Sequence, residues 1–345
     1  MSAGRCPRGS LPIWEGVIPY NTGAPKRDVL RVDPALDPAA AMAFVFDPHH
    51  HHPTSTREFD TAVWHNAILR GRAGENFDDE PYLTPYVVPG SEICVLLAAG
   101  GAYLDVSTED ESAPVARALN RHGITAFTLN YRFYPYTAPV PFLDCRRALC
   151  LLRARAGAYG FDPDKICLGG FSAGGNLAAT TVHLFGELPE IPGYTPDDVD
   201  RTDPRPNALM LAYPKVIFTD THDLLLPMLG ERFFSCDVDG AVRHYTVTNH
   251  MAKEVTPPTF LVGAVNDTVV DPGNLYAYAM RCHEIGVPCE LHEFMEGGHG
   301  FGAARDRAYS PWAPPGDYRG LDTWCDLFAV WLEKVFSAPG ARHYR

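Results

Sequence analysis

The sequence predicts an α/β protein with a mostly parallel central sheet and helices on both faces. Two observations carry this. From about residue 82 onward, short apolar runs of strand length alternate with segments whose apolar residues recur every three or four positions. Strands and helices in alternation imply parallel strands joined by crossovers, and each crossover lays a helix on one face of the sheet. The second observation, 46% hydrophobic and 21% charged residues over 345 positions, gives enough apolar material for one large core.

The elements follow in order. "EICVLLAAG" (92–100) is a buried-strand run, and a helical stretch from about Glu109 to His122 leads to a second run, "ITAFTLNY". Phe142, Cys145, Leu149, Leu152, Ala156 and Tyr159 mark the next helix by their spacing. "KICLGG" then reads as a strand, "AGGNLAATTVHLF" as a helix, and "NALMLAYP" and "TFLVGA" as two further strands. A helix from about Gly273 to Glu284 precedes "CELHEF", and a last helix is expected to bury Trp324, Leu327, Phe328, Trp331, Leu332 and Val335. Residues 1–80 are read as an irregular N-terminal extension and 81–340 as one domain. Within that domain, 186–206 and 215–256 are excursions that would roof a site.

The charge balance narrows the partners. A formal net charge of −13 repels polyphosphate and anionic lipid, so neither nucleic acid nor a membrane is expected. Nine cysteines are present without a CxxC pair, and Cys94, Cys145, Cys167 and Cys289 lie in apolar runs, as small core residues do. That usage fits a reducing compartment. Arg5 and Arg8 are followed by Pro12, Glu15 and Gly16, which interrupt the apolar stretch before it reaches signal-peptide length, so a cytoplasmic location is expected. His49 to His52 are adjacent imidazoles without a carboxylate cluster. They are read as a solvated loop, and no metal or other cofactor is expected.

In parallel sheets ligands sit outside the carboxyl ends of the strands, so the residues after each strand come first. Gly170-Phe171-Ser172-Ala173-Gly174 joins a strand to a helix. An abrupt strand-to-helix corner strains its central residue and brings the positions two places away so close that glycine is required there. The corner exposes a hydroxyl backed by the unpaired N–H groups of a helix N-terminus. A serine nucleophile needs a base, and the base needs a carboxylate. After "TFLVGA" comes Asp267, with Asp271 as a second choice further along, and after "CELHEF" comes His299 in a glycine-rich turn. His122, His183 and His283 fall on or beside helices and read as surface or core residues. Backbone N–H groups of Gly101 and Ala102, after the first strong strand, and of Ala173 are candidate oxyanion donors. Asp144, ahead of Arg146 and Arg147 at the start of a helix, reads as a structural complement to the helix dipole.

The segments "AAGGAY", "YRFYPYTAPVPFLDCRRA", "GFSAGGNLA", "PPTFLVGAVNDTVV" and "GGHGFG" together resemble the α/β-hydrolase superfamily. Within it they are similar to the hormone-sensitive-lipase and acetyl-xylan-esterase-like esterases, over about residues 82–335. The resemblance implies a serine carboxylesterase that removes short acyl groups, acetyl on a carbohydrate above all, with Ser172, His299 and Asp267 as triad. It also implies that Tyr131, Tyr134 and Tyr136 line a sugar-binding wall, although aromatics at those places equally pack into a core. The family commonly has His or Pro before three glycines. Here Ala98 and Ala99 precede Gly100 and Gly101, then Ala102, a departure expected to alter what fits beside Tyr103 while leaving the backbone donors in place. A serine peptidase on the same fold, a non-catalytic binding protein of that fold and a metal-dependent deacetylase are the alternatives.

Overall fold

The computed structural model describes residues 9–21, 80–218, 224–304 and 318–337. Its strands are β1 (Leu11–Pro12), β2 (Tyr82–Tyr86), β3 (Cys94–Ala98), β4 (Thr125–Asn130), β5 (Ile166–Phe171), β6 (Ala208–Ala212), β7 (Thr259–Ala264) and β8 (Cys289–Phe294). They form one sheet in the order β1-β2-β4-β3-β5-β6-β7-β8. The β1–β2 and β2–β4 pairs are antiparallel and every other pair is parallel. Every residue of β3, β4, β5, β6 and β7 is buried. Those runs are therefore apolar almost without alternation, as strands covered on both faces must be. β8 is the half-exposed edge.

The helices are α1 (Ser112–Arg121), α2 (Val140–Ala154), α3 (Ala156–Tyr159), α4 (Ala173–Leu184), α5 (Leu225–Leu229), α6 (Val238–Tyr245), α7 (Gly273–Ile285) and α8 (Trp324–Ser337). One core packs Phe142, Leu149 and Leu152 of α2, Leu177 of α4 and Leu275 of α7 against the sheet. The second, on the other face, packs Val115 and Leu119 of α1 with Phe328 and Leu332 of α8.

Three expectations need correcting. On α8, Leu327 is 38% exposed, whereas Cys325 and Phe336 are in the core and Val335 packs against it. The buried stripe is centred on Phe328 and Leu332, and a neighbour in sequence is turned by about 100° from that centre. Residues 9–21 do not belong to an irregular extension, because Leu11 and Pro12 pair with Leu83 and Tyr82, and Ile13 and Trp14 are buried. The third concerns the excursions. The 186–206 segment leaves α4 and returns to β6 at the amino ends of the strands, alongside α2. There Asp197 and Asp200 grip Arg147 at 2.6 and 2.9 Å, and Arg153 donates to the Arg205 carbonyl. Of the two, only the second, over its described residues 215–218 and 224–256, rises over the carboxyl ends: Ala138 donates to the Met228 carbonyl, and Arg232 reaches back to the Ala138 carbonyl.

The N-terminal segment climbs along α2. Ile13 accepts from Arg147, the Trp14 indole donates to Asp144, and Pro19 accepts from Arg132. Asp144 is thus structural through a buried ion pair with Arg132 at 2.7 Å rather than through the helix dipole. Its position, a full turn inside α2, explains the difference.

Candidate active site

The corner after β5 holds Ser172 at φ 50°, ψ −119°. This left-handed backbone conformation costs a non-glycine residue about 1–3 kcal/mol and is held by its surroundings. The Ser172 N–H donates to the Ala212 carbonyl at 3.0 Å, and its carbonyl accepts from Asn176 as α4 begins. The flanking glycines are steric necessities. A Cβ on Gly170 would stand 2.1 Å from the Gly174 oxygen, and one on Gly174 would stand 2.2 Å from the Ala98 oxygen.

The loops after β7 and β8 bring two more side chains to this corner. The His299 Nδ1 is 2.7 Å from Asp267 Oδ2, and its Nε2 is 2.8 Å from Ser172 Oγ. With Nδ1–H donating to the carboxylate, Nε2 is left to accept the serine proton. The other oxygen of Asp267 accepts the N–H groups of Val269 and Val270, each at 2.9 Å, so the carboxylate is aimed by its own loop. Asp271 instead accepts from Gly273 at the start of α7. The histidine loop is tied by the Asn266 side chain, which accepts from Gly297 and Gly298. His299 and Asp267 are both buried.

Behind the serine, Gly101, Ala102 and Tyr103 run at φ 125°, 55° and 59°. Leu104 and Asp105 both donate to the Gly101 carbonyl, which closes the turn. The Gly100 N–H is spoken for, since it donates to Glu111 Oε2 at 2.5 Å. The N–H groups of Gly101 and Ala102, and that of Ala173 in the first turn of α4, have no protein acceptor among the described residues. Such backbone donors suit an oxygen that becomes negative.

The tyrosines sort differently. Tyr103 and Tyr131 are almost fully buried. The Tyr103 hydroxyl donates to Asn176 at 2.8 Å and the Tyr131 hydroxyl to the Ala99 carbonyl at 2.8 Å. Both brace the turn after β3 from within the core and offer no ring face to a ligand. Tyr134 is also buried, and an edge of its ring lies under Gly230 of the roof. Tyr136 lies under the Arg132 guanidinium.

Glu111 and Tyr213 were not singled out by sequence reasoning. The Tyr213 hydroxyl donates to Glu111 Oε1 and accepts from Gly302, both at 3.1 Å, and its ring meets the His299 ring edge-on at 4.9 Å. Burial pushes the Glu111 carboxyl up from 4.5 to about 7, against the pull of the Gly100 N–H, of His299 and of the Tyr213 hydroxyl. The signal in the sequence was slight: one acid in "TEDES" ahead of a helix.

Among the described residues no group of three or more His, Cys, Asp or Glu is placed to hold a metal ion, and no helix is long and apolar enough to cross a membrane. His49 to His52 lie outside the described residues.

A family model described as alpha/beta hydrolase fold matches residues 95–303. An endo-1,4-beta-xylanase B of Butyrivibrio fibrisolvens is 29% identical over 244 residues, 69% of this chain and 36% of that protein. An acetylxylan esterase of Xylanibacter ruminicola is 28% identical over 209 residues, 59% of this chain and 40% of that protein. The chain therefore spans about two fifths or less of the length of these relatives. Among solved structures, an acetyl ester-xyloside bifunctional hydrolase from Caldicellulosiruptor lactoaceticus superposes with a TM-score of 0.66 at 28% identity, over 98% of this chain and all of that one.

Proposed function

The chain belongs to the α/β-hydrolase fold family, and on that premise we propose that it is a serine carboxylesterase acting on short-acyl esters, acetyl groups on a carbohydrate foremost. The observation that carries the reading is the continuous relay from Ser172 Oγ through His299 to Asp267, with contacts of 2.8 and 2.7 Å. Ser172 Oγ attacks the ester carbonyl while Nε2 of His299 takes its proton. The carbonyl oxygen becomes an oxyanion and receives the N–H groups of Gly101, Ala102 and Ala173. Collapse expels the alcohol, which takes the proton from His299. Water, deprotonated by the same nitrogen, then attacks the acyl-enzyme, and acetate leaves as Ser172 recovers its proton. Asp267 keeps the imidazole in the tautomer that accepts at Nε2 and stabilises the imidazolium between proton transfers. Two relatives and one structural neighbour carry xylan, acetyl ester or xyloside in their names, which supports the choice of substrate class. The described cysteines are free thiols, which supports a reducing cytoplasm as the working compartment.

The test is hydrolysis of p-nitrophenyl esters together with release of acetic acid from acetylated xylan. Ser172→Ala should lower kcat on p-nitrophenyl acetate by about 10⁴-fold or more with unchanged thermal unfolding, and EDTA should leave the wild type unaffected. Turnover should drop sharply from acetate to octanoate. Wild-type turnover in the Ser172→Ala variant, or a flat chain-length profile with no acetic acid released from xylan, would refute the Ser172 mechanism and the substrate class respectively.

A further inference from the structure

We propose that Glu111 is a positioning residue for this hydrolysis: its carboxylate locks the oxyanion turn to the histidine loop and presents negative charge toward the imidazole of His299. The proposal deepens the esterase reading and rests on it.

The loops after β3, β6 and β8 are tied together through this side chain and the Tyr213 hydroxyl. From the turn after β3, Gly100 donates to Oε2. Gly100 also packs on the nucleophile, since a Cβ there would stand 2.8 Å from Ser172 Cβ and 3.0 Å from Glu111 Oε2. From the loop after β6, Tyr213 donates to Oε1. From the loop after β8, Gly302 donates to the same Tyr213 hydroxyl, and it approaches so closely that a Cβ on it would stand 2.2 Å from the Asp110 oxygen. The proton assignments close. The Gly100 amide and the Tyr213 hydroxyl both need an acceptor, and the hydroxyl already receives Gly302, so the carboxylate serves as acceptor at both oxygens. The ionised form supplies both acceptors, and it prevails above about pH 7, where burial places its titration.

A scaffold alone does not require a charge. A buried carboxylate is a costly way to accept two hydrogen bonds, and burial does raise its proton affinity. What repays a charge here is its neighbour. When His299 takes the serine proton it becomes an imidazolium, and Glu111 stands on the Tyr213 side of that ring as Asp267 stands at Nδ1. The titratable and charged groups facing the carboxylate are His299, Tyr213, Asp110 and Tyr131. Asp105 acts on Tyr131, and Asp267 acts on Tyr213. Among these, the imidazolium is the cation that forms during turnover. The Gly100 N–H turned onto Glu111 also fixes which amides remain for the oxyanion, namely Gly101 and Ala102.

Charge and reach can be separated by substitution. Glu111→Gln keeps the reach, removes the charge and turns one acceptor oxygen into a donor. Glu111→Asp keeps the charge and is one methylene short of spanning Gly100 and Tyr213. Two readouts apply to each: steady-state hydrolysis of p-nitrophenyl acetate from pH 5 to 9, and the rate of labelling by a fluorophosphonate. In the second, the Ser172 Oγ–P bond forms, the P–F bond breaks, fluoride leaves and His299 takes the serine proton. For Glu111→Gln the expected result is KM within about twofold, kcat lowered about tenfold, and the acid limb of both profiles moved about half a unit or more to lower pH. Glu111→Asp should lower kcat with the acid limb where it stands in the wild type. Tyr213→Phe, which cuts the link to Gly302 and leaves the carboxylate, should lower kcat about threefold or more and serves in place of Glu111→Gln should that variant not fold. A Glu111→Gln enzyme with wild-type kcat, or one weakened with an unmoved acid limb, overturns the proposal. Wild-type labelling without ester turnover would sink the esterase reading alone, and Glu111 would then be judged on labelling. Neither labelling nor turnover in the wild type would sink both.

Discussion

At Gly174 there is no room for a methyl group: its Cα faces the carbonyl oxygens of Ala98 and Ala99, which a Cβ would approach to 2.2 and 2.4 Å. A steric demand of this kind is written in the sequence as a residue type, and for that reason the corner around Ser172 could be read in advance. Asp267 and His299 could be read because each directly follows a strand. Glu111 could not. Its importance comes from the distant Gly100, Tyr213 and Gly302, and beside Glu109 and Asp110 it looks like any acid before a helix. Tyr103 and Tyr131 showed the same limit from the other side, since aromatics after a strand read alike whether they face a ligand or the core. Glu111 also makes stability depend on pH in a definite direction. Burial raises its carboxyl from 4.5 to about 7, so between those values the folded chain binds a proton that the unfolded chain has released. The stability contributed by this group is therefore full below about 4.5 and is lost as pH rises through about 7. The melting temperature of the wild type relative to Glu111→Gln should accordingly fall between pH 5 and pH 8, by an amount corresponding to about 2–3 kcal/mol. A difference that stays constant or grows over that range would mean that the carboxyl is not held protonated by burial.

Among the elements, those with a period were legible and those without one were not. β3, β4, β5, β6 and β7 are continuous apolar runs, and α2 and α4 follow them with helical spacing. β1 is two residues long, and no pattern can be expressed in two residues. What holds it is tertiary: Trp14, Arg147, Asp144 and Arg132 interlock the N-terminal segment with α2 and the end of β4. Asp144 accepts the Arg132 Nε, Nη2 and backbone N–H and the Trp14 indole, all within a site closed to water. Asp144→Asn would leave the Arg132 guanidinium buried without its counter-charge, a loss of about 3–5 kcal/mol. Urea unfolding should show that loss. Limited proteolysis should find cleavage near residues 9–21 accelerated in the variant, because the strap loses its anchor before the central sheet does. Equal proteolysis of both proteins would place the strap's hold elsewhere, with the Arg155–Glu15 pair and the pairs of Arg147 with Asp197 and Asp200 left to supply it.

For the molecule as a whole, the strand–helix alternation specified the sheet. The shape of the roof was not specified, since α5 and α6 are short and carry no long periodic stripe, and the roof is where discrimination between alcohols would reside. The net charge of −13 does make a quantitative statement about substrates that needs no knowledge of the roof. A negative field slows the approach of anionic esters and is indifferent to neutral ones, and it reaches about 30 Å at 10 mM salt but only about 8 Å at 150 mM. Asp267 and, above about pH 7, Glu111 add to the field at the site, and both lie below the surface where salt screens them poorly. For 4-acetoxybenzoate, kcat/KM should therefore rise about threefold or more between these salt concentrations, whereas that for p-nitrophenyl acetate should stay within about 1.5-fold. The anionic ester should remain the poorer substrate even at high salt, because the buried carboxylates continue to act at short range. A rate for the anionic ester that falls as salt is added would reveal a positive funnel over the site, and with it a preference for acidic sugar esters over neutral ones.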